Sequence, residues 1–524
     1  MRFFRHHDFM ACIATMVFGA MGCASAFGQE SATSHRYKVA PFSASAKELL
    51  SDRKKLNEVL QLKGSVVRGT APFQGNEATL KTWYVELTFP MMTRTKSGNG
   101  VSSDPMEGIE RSRESLLQDI RKTTNAEFRR WLVNQVVSIM PRIVNKDYHP
   151  VVRYNAMLTV ANLNATEASM RGAQRRPPVP LPAAFPLMQE ALTNESQIDA
   201  VRVAALAGIL RHVELEPFSN QPLEELSKQK LAADLLTIIQ AVEPPLGRNP
   251  NVHYWMQLRA TEIIALLGQP DEEGKIADAL GEIVKNEELR RRLRFTAGNA
   301  IGKTQRLPTA FVSEPTDLAV ILSKMAHEAS QEAVERVEVI SMSTGFNQRV
   351  GGGIMAFGGG DIDGFSEPGG LEGGLPGTDF RQNKKTTRKD ERQEDWEKEL
   401  ELTRRALLTT LAGVSHGIRG TDGAGGLLSL AQNEPHSTNV ARLGGLVNSL
   451  SATCDSKYED VEEFLTDLQN LTDQLGAEID QLAVDSGEAP MDEPTPENDA
   501  PVVASGEPLD TSDEESVEEP VDFQ

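Results

Sequence analysis

The sequence predicts an all-α protein. An α-solenoid over 108–344 is followed by a Gly-rich flexible linker (345–388), a small helical C-terminal module (389–485) and a disordered acidic tail (486–524). Three observations predict this class. One helical unit recurs four times between residues 150 and 303, and such recurrence is the mark of a stacked-repeat fold. Period-2 alternation, which a sheet would need, is nearly absent. Aromatic residues make up 6% of the chain against 25% charged, a balance that suits helical repeats better than a β-sandwich.

The first 26 residues read as an export signal. Arg2 and Arg5 supply the positive start, Phe9–Gly22 the apolar stretch, and Ala24-Ser25-Ala26 a small-residue cleavage site after Ala26. A second route competes with it. Ala20-Met21-Gly22-Cys23 resembles a bacterial lipobox, which makes Cys23 a candidate for lipidation and a lipid anchor. No later stretch approaches 18 apolar residues, so no membrane span is expected. Cleavage would leave Cys454 as the remaining cysteine. That excludes an internal disulfide and leaves a small buried hydrophobe or an intermolecular bridge.

Residues 27–107 form an N-terminal segment expected to hold a helix and a short hairpin. Trp83, Val85, Leu87 and Phe89 alternate, and Val66-Val67 is the candidate partner strand across the Gly69–Asn76 loop.

The repeat follows. Its instances are Val152-Arg153…Ala156…Val160, Val201-Arg202…Ala205…Ile209, Leu258-Arg259…Glu262…Leu266 and Leu293-Arg294…Ala297…Ile301. Offsets of 3, 4 and 7 fall on one helical face, so each unit presents an apolar stripe. The arginine sits near the helix start, where the macrodipole disfavours a positive charge. It therefore needs another partner, a carboxylate or a carbonyl of the adjacent repeat. Apolar stretches around 126–144, 187–192, 231–242 and 276–284 supply a first helix for each unit, with Pro141 expected to end or kink the first. Pairs of this kind cannot bury their faces alone and must stack.

"PVVRYNAMLTVANL" (150–163), "DAVRVAALAGIL" (199–210) and "LRFTAGNAIG" (293–302) resemble the second helix of HEAT repeats and their bacterial HEAT-like relatives. The resemblance covers about 108–345. It implies an α-solenoid that binds proteins, with Arg153, Arg202, Arg259 and Arg294 as the recurring structural anchors. The arginines stand 49, 57 and 35 residues apart, less even than the family pattern.

Within the repeats, Arg175–Pro182 reads as a stiff polyproline connector. Beyond them, residues 345–377 hold 13 glycines and read as a flexible spacer. Helical stretches follow at 389–414, 437–453 and 458–484, the last close to a heptad seam. They predict a bundle or coiled coil that is open to self-association. The tail 486–524 carries 13 acidic residues and no Lys or Arg, too few apolar groups to fold alone. Net charge is −21, and without the tail −8 remains. Neither part favours nucleic acid, which needs clustered Lys and Arg.

Catalytic and metal patterns are weak. Gly413-Val414-Ser415-His416-Gly417 matches G-x-S-x-G, but no strand precedes it to build a nucleophile elbow. The histidines show no metal-ligand spacing, and Asp361-Ile362-Asp363-Gly364 lacks the later ligands of a calcium loop. No catalytic, cofactor or metal residue is therefore assigned. The expectation is a non-enzymatic, periplasmic or cell-surface protein–protein interaction scaffold with its partner on the concave face. A self-assembling envelope component is the alternative, and a hydrolase using Ser415 a distant third.

Overall fold

The computed structural model describes residues 37–95, 105–169, 176–220, 222–269, 273–304, 314–352, 380–421, 424–458 and 461–485. The expectations placed on Cys23, Ala26, Asp361–Gly364 and the acidic tail lie outside these residues. The described chain is all-α, with only two short β pairs. Among the described residues no helix is long and apolar enough to cross a membrane.

The N-terminal segment is helical: α1 (Ala44–Ser51), α2 (Arg53–Val67), α3 (Glu77–Lys81) running into a π-helical turn (Thr82–Thr88), and α4 (Phe89–Met91). The expected hairpin is not formed. Val66-Val67 end α2, and Trp83–Thr88 are π-helical. The cause is Pro90. It has no N–H for the carbonyl four residues back and its ring crowds that carbonyl, so the register widens upstream. The Phe89 N–H reaches back five residues to Tyr84 O. Tyr84 and Leu87, three apart, face the core, a spacing that alternation cannot supply.

Helices α5 (Pro105–Lys122), α6 (Ala126–Val144) and α7 (Pro150–Ala161) follow. Phe73, Tyr84, Phe128 and Trp131 pack ring to ring between the N-terminal helices and α6, with centroids 5.4–6.4 Å apart. Beside them Asp119 of α5 accepts from Tyr84 Oη at 2.9 Å and Lys63 Nζ at 2.8 Å. Pro141 lies inside α6 without ending it.

The repeats form pairs α6/α7, α8 (Ala184–Thr193)/α9 (Asp199–Leu215), α10 (Glu225–Gln240)/α11 (Pro250–Leu267) and α12 (Lys275–Lys285)/α13 (Arg291–Lys303). The second helix of each pair packs on the second helix of the next: α7 on α9, α9 on α11, α11 on α13. These helices are consequently buried on several sides, which is why their sequences are apolar beyond a single stripe. Gly208 of α9 admits this closeness, because a Cβ there would strike Met188 and Ala161. The proline-rich connector is not a free polyproline rod. Val179–Pro180 (β2) pairs antiparallel with Asn164–Thr166 (β1).

The C-terminal helices depart most from expectation. α14 (Pro315–Gly352) and α15 (Phe380–Arg419) form a fifth pair, and α15 packs on α13 as α13 does on α11. Next come β3 (Gly420–Thr421) paired with β4 (Ala424–Gly425), the short α16 (Leu427–Leu430), α17 (Ser437–Asp455) packed on α15 and α14, and α18 (Val461–Asp485). Thus 389–455 is not a module hung on a linker. Residues 345–352 and 380–388 are helical, and the glycine-rich stretch lies between the two halves of one helix pair. The chain divides into two units, 1–479 and 480–524. The described part of the second is the last turn and a half of α18.

The α13–α15 seam is made by four glycines. Gly298 and Gly302 on α13 meet Gly417 and His416 on α15, and Gly413 meets Phe295 of α13. A Cβ on Gly417 would lie 2.7 Å from Gly298 O, and one on Gly302 would overlap His416 O. Small residues four apart let two backbones touch. This is what the G-x-S-x-G spacing encodes. Ser415 sits within a helix, not on a strand-to-helix elbow.

Candidate interaction surface

Three of the four predicted anchors share one geometry. Arg153 Nε donates to Val144 O (2.8 Å), Arg202 Nε to Leu192 O (3.1 Å) and Arg294 Nε to Val284 O (2.9 Å). Each is the fourth residue of its helix and caps the end of the helix before it. The last carbonyls of a helix have no intrahelical donor, and a cation there also meets the negative end of the dipole. The arginine charge is thus offset by the C-terminus of its own pair, and Arg153 in addition donates to Gln197 of the next pair.

Arg259 is not in this position. The fourth residue of α11 is His253, whose Nε2 lies 2.7 Å from Ala241 O, with Gln257 Nε2 donating to the same oxygen at 2.8 Å. The third unit therefore reads Val252-His253…Met256…Ala260, and the anchor spacings become 49, 51 and 41 residues. Leu266, placed on the buried stripe by the Arg259 register, is 44% exposed. Arg259 instead pairs with Glu262 and lies over Trp255, 5.3 Å from its centroid. The matching Asn/His-Pro starts at 149–150 and 249–250 were the available signal for the true register.

A polar ladder runs along the edge where the second helices begin. Gln197 accepts from Arg153 and donates to Asn145 (3.1 Å). Arg248 holds Asp199 through Nη2 (3.0 Å) and Nε (3.1 Å), and Arg290 reaches Asn251. Each loop between paired helices thereby ties to the pair before it.

Two surfaces stand out among the described residues of the repeats. The first is the outer face of α9 and α11, where Arg211, Glu214, Tyr254, Arg259, Glu262 and Leu266 are half-buried or exposed. Arg290 lies 4.4 Å from the Tyr254 centroid. Burial, with Glu262 adding to it, pushes the Glu214 carboxyl up. Burial lowers Arg211 to about 10. Tyr and Arg in one patch are among the residue types that dominate binding energy at interfaces. The second surface is a groove of about 650 Å³ between α10 and α12.

Elsewhere, Cys454 is buried at 3% exposure and its thiol is pushed up to about 12 by that burial, which fits a packed hydrophobe. The heptad-like residues Phe464, Leu468 and Leu475 of α18 are buried within the chain. Among the described residues no group of three His, Cys, Asp or Glu side chains is placed to hold a metal ion. No protein-family model matches this sequence, and no curated protein matches it.

Proposed function

We propose that the protein is an exported, non-enzymatic scaffold that binds another protein on a HEAT-like α-solenoid. The observation that carries this reading is the unbroken packing of second helix on second helix from α7 to α15. Layers joined only to their neighbours yield long continuous surfaces, and here the α9–α11 face presents Tyr254, Arg259, Glu262 and Leu266 together. The HEAT-like assignment is supported by the recurring carbonyl-capping residue at the fourth position of each second helix. Export rests on the N-terminal signal, and lipidation at Cys23 is its variant. Self-assembly through 389–484 has less support, since Leu407, Leu411, Leu443, Val447, Phe464 and Leu468 are already buried within their own chain.

The test is capture by full mature protein (27–524) from the native envelope fraction, with a photo-cross-linking residue at Glu262 or, as a control, at exposed Glu463. A single heterologous protein cross-linked from Glu262 and not from Glu463 supports the scaffold. Recovery of the protein itself from both positions moves the function to self-assembly.

A further inference from the structure

We infer that the groove between α10 and α12 receives an amphipathic helix with basic flanks from the partner protein. This rests on the scaffold reading and names the partner's chemistry. Five of the twelve lining residues are apolar: Ile239 at the end of α10, Val242 just beyond it, Ala279 and Ile283 from α12, and Leu289 from the loop that follows. Gln240, Gln257 and Asn286 and four charged residues complete the lining. Val242 is 62% exposed at the rim, an apolar side chain left in water where the groove opens.

The shape selects the occupant. The walls are helices and helix ends, which present no strand edge, so an extended peptide would find no ladder to join. A helix satisfies its own backbone and brings only side chains to the groove. One helical turn fills about 400 Å³, taking a 5.4 Å pitch and a 10 Å diameter. A groove of about 650 Å³ is thus large enough to take the side chains along one face of a short helix.

The charge selects the flanks. Asp278 and Glu282 are exposed on α12, one turn apart, beside the apolar wall. Lys275 and Lys285 at the two ends are engaged by Glu273 and by Glu314 at 2.8 Å. Asp278 makes no ion pair among the described residues. Glu282 has only a 3.7 Å contact to Lys285. Lys or Arg one turn apart on the incoming helix would meet these two carboxylates, which steers approach and fixes register more than it adds affinity.

The probe is a fluorescent 14-residue Leu/Lys amphipathic helix titrated into full mature protein and followed by anisotropy, with a Leu/Glu helix of the same pattern alongside. Saturable binding of the Leu/Lys peptide alone is expected. Asp278→Lys with Glu282→Lys should weaken it at least tenfold, and Ala279→Trp, which fills the groove, should abolish it. Reversal of two remote exposed carboxylates (Glu463→Lys with Asp473→Lys) should leave it within twofold, which separates the groove from general attraction to an acidic protein. Circular dichroism on each variant checks that the fold is kept. Equal binding by the wild type and Ala279→Trp, or equal loss in the remote variant, overturns the proposal. If the protein cross-linked from Glu262 still binds Ala279→Trp at wild-type strength, the groove is overturned while the scaffold stands.

Discussion

A single ring nitrogen decides the register of the third repeat. Arg153, Arg202, His253 and Arg294 each meet a carbonyl at the end of the preceding helix, whereas Arg259 pairs with Glu262 on its own helix. A hydrogen bond from a charged donor contributes about 1.5–3 kcal/mol, and a short-range surface pair about 0–1. Arg202→Ala and Arg294→Ala should therefore each cost more than Arg259→Ala, by about 1 kcal/mol, in urea unfolding at constant m-value. A larger loss at Arg259 would restore the register read from sequence. The histidines carry a pH dependence. Burial lowers His149, His212 and His253 below the ordinary 6.5. The unfolded chain then binds protons more readily than the folded one. Stability is full above about pH 6.5 and falls as pH drops through the lowered folded values. The melting temperature should be flat from pH 8 to 7 and decline toward pH 5, and His212→Gln should flatten that decline.

At the scale of elements, most helices were legible because their apolar residues recur at helical spacing. The boundaries read for α6 and α17 lie within two residues of those observed. Two readings failed for physical reasons, and one feature could not be read at all. Trp83–Phe89 alternates, yet Pro90 acts through the backbone and turns it into a π-helical stretch. Gly413–Gly417 reads as the end of a helix because glycine weakens helices, whereas Gly413 and Gly417 admit the α13 backbone at Phe295 and Gly298, more than 110 residues away in sequence. The α10–α12 groove was invisible, since neither helix alone shows that its neighbour stands off. The glycines invite a paired test. Gly417→Ala should cost about 2–3 kcal/mol through overpacking against Gly298 O. Gly445→Ala in α17, with open space at its Cβ, should instead gain up to about 1 kcal/mol. Thermal unfolding of both variants checks the pair.

At the scale of the molecule, the composition of the glycine-rich stretch reads as a linker and predicts a boundary there. Packing crosses that boundary: α13 meets α15, and α14 meets α15 and α17. The stretch is an insertion within a helix pair, so a truncation at 344 would strip α15 from its glycine seam and cut α14 short. The central claim is that the repeats and the C-terminal helices form one continuous stack. Hydrogen exchange, read by mass spectrometry on mature wild type and Gly302→Val, tests it most directly. The substitution, made on α13, should deprotect α15 over 404–418 together with 291–303. Protection unchanged over 404–418 while 291–303 opens would contradict the seam and return the C-terminal helices to a separate module.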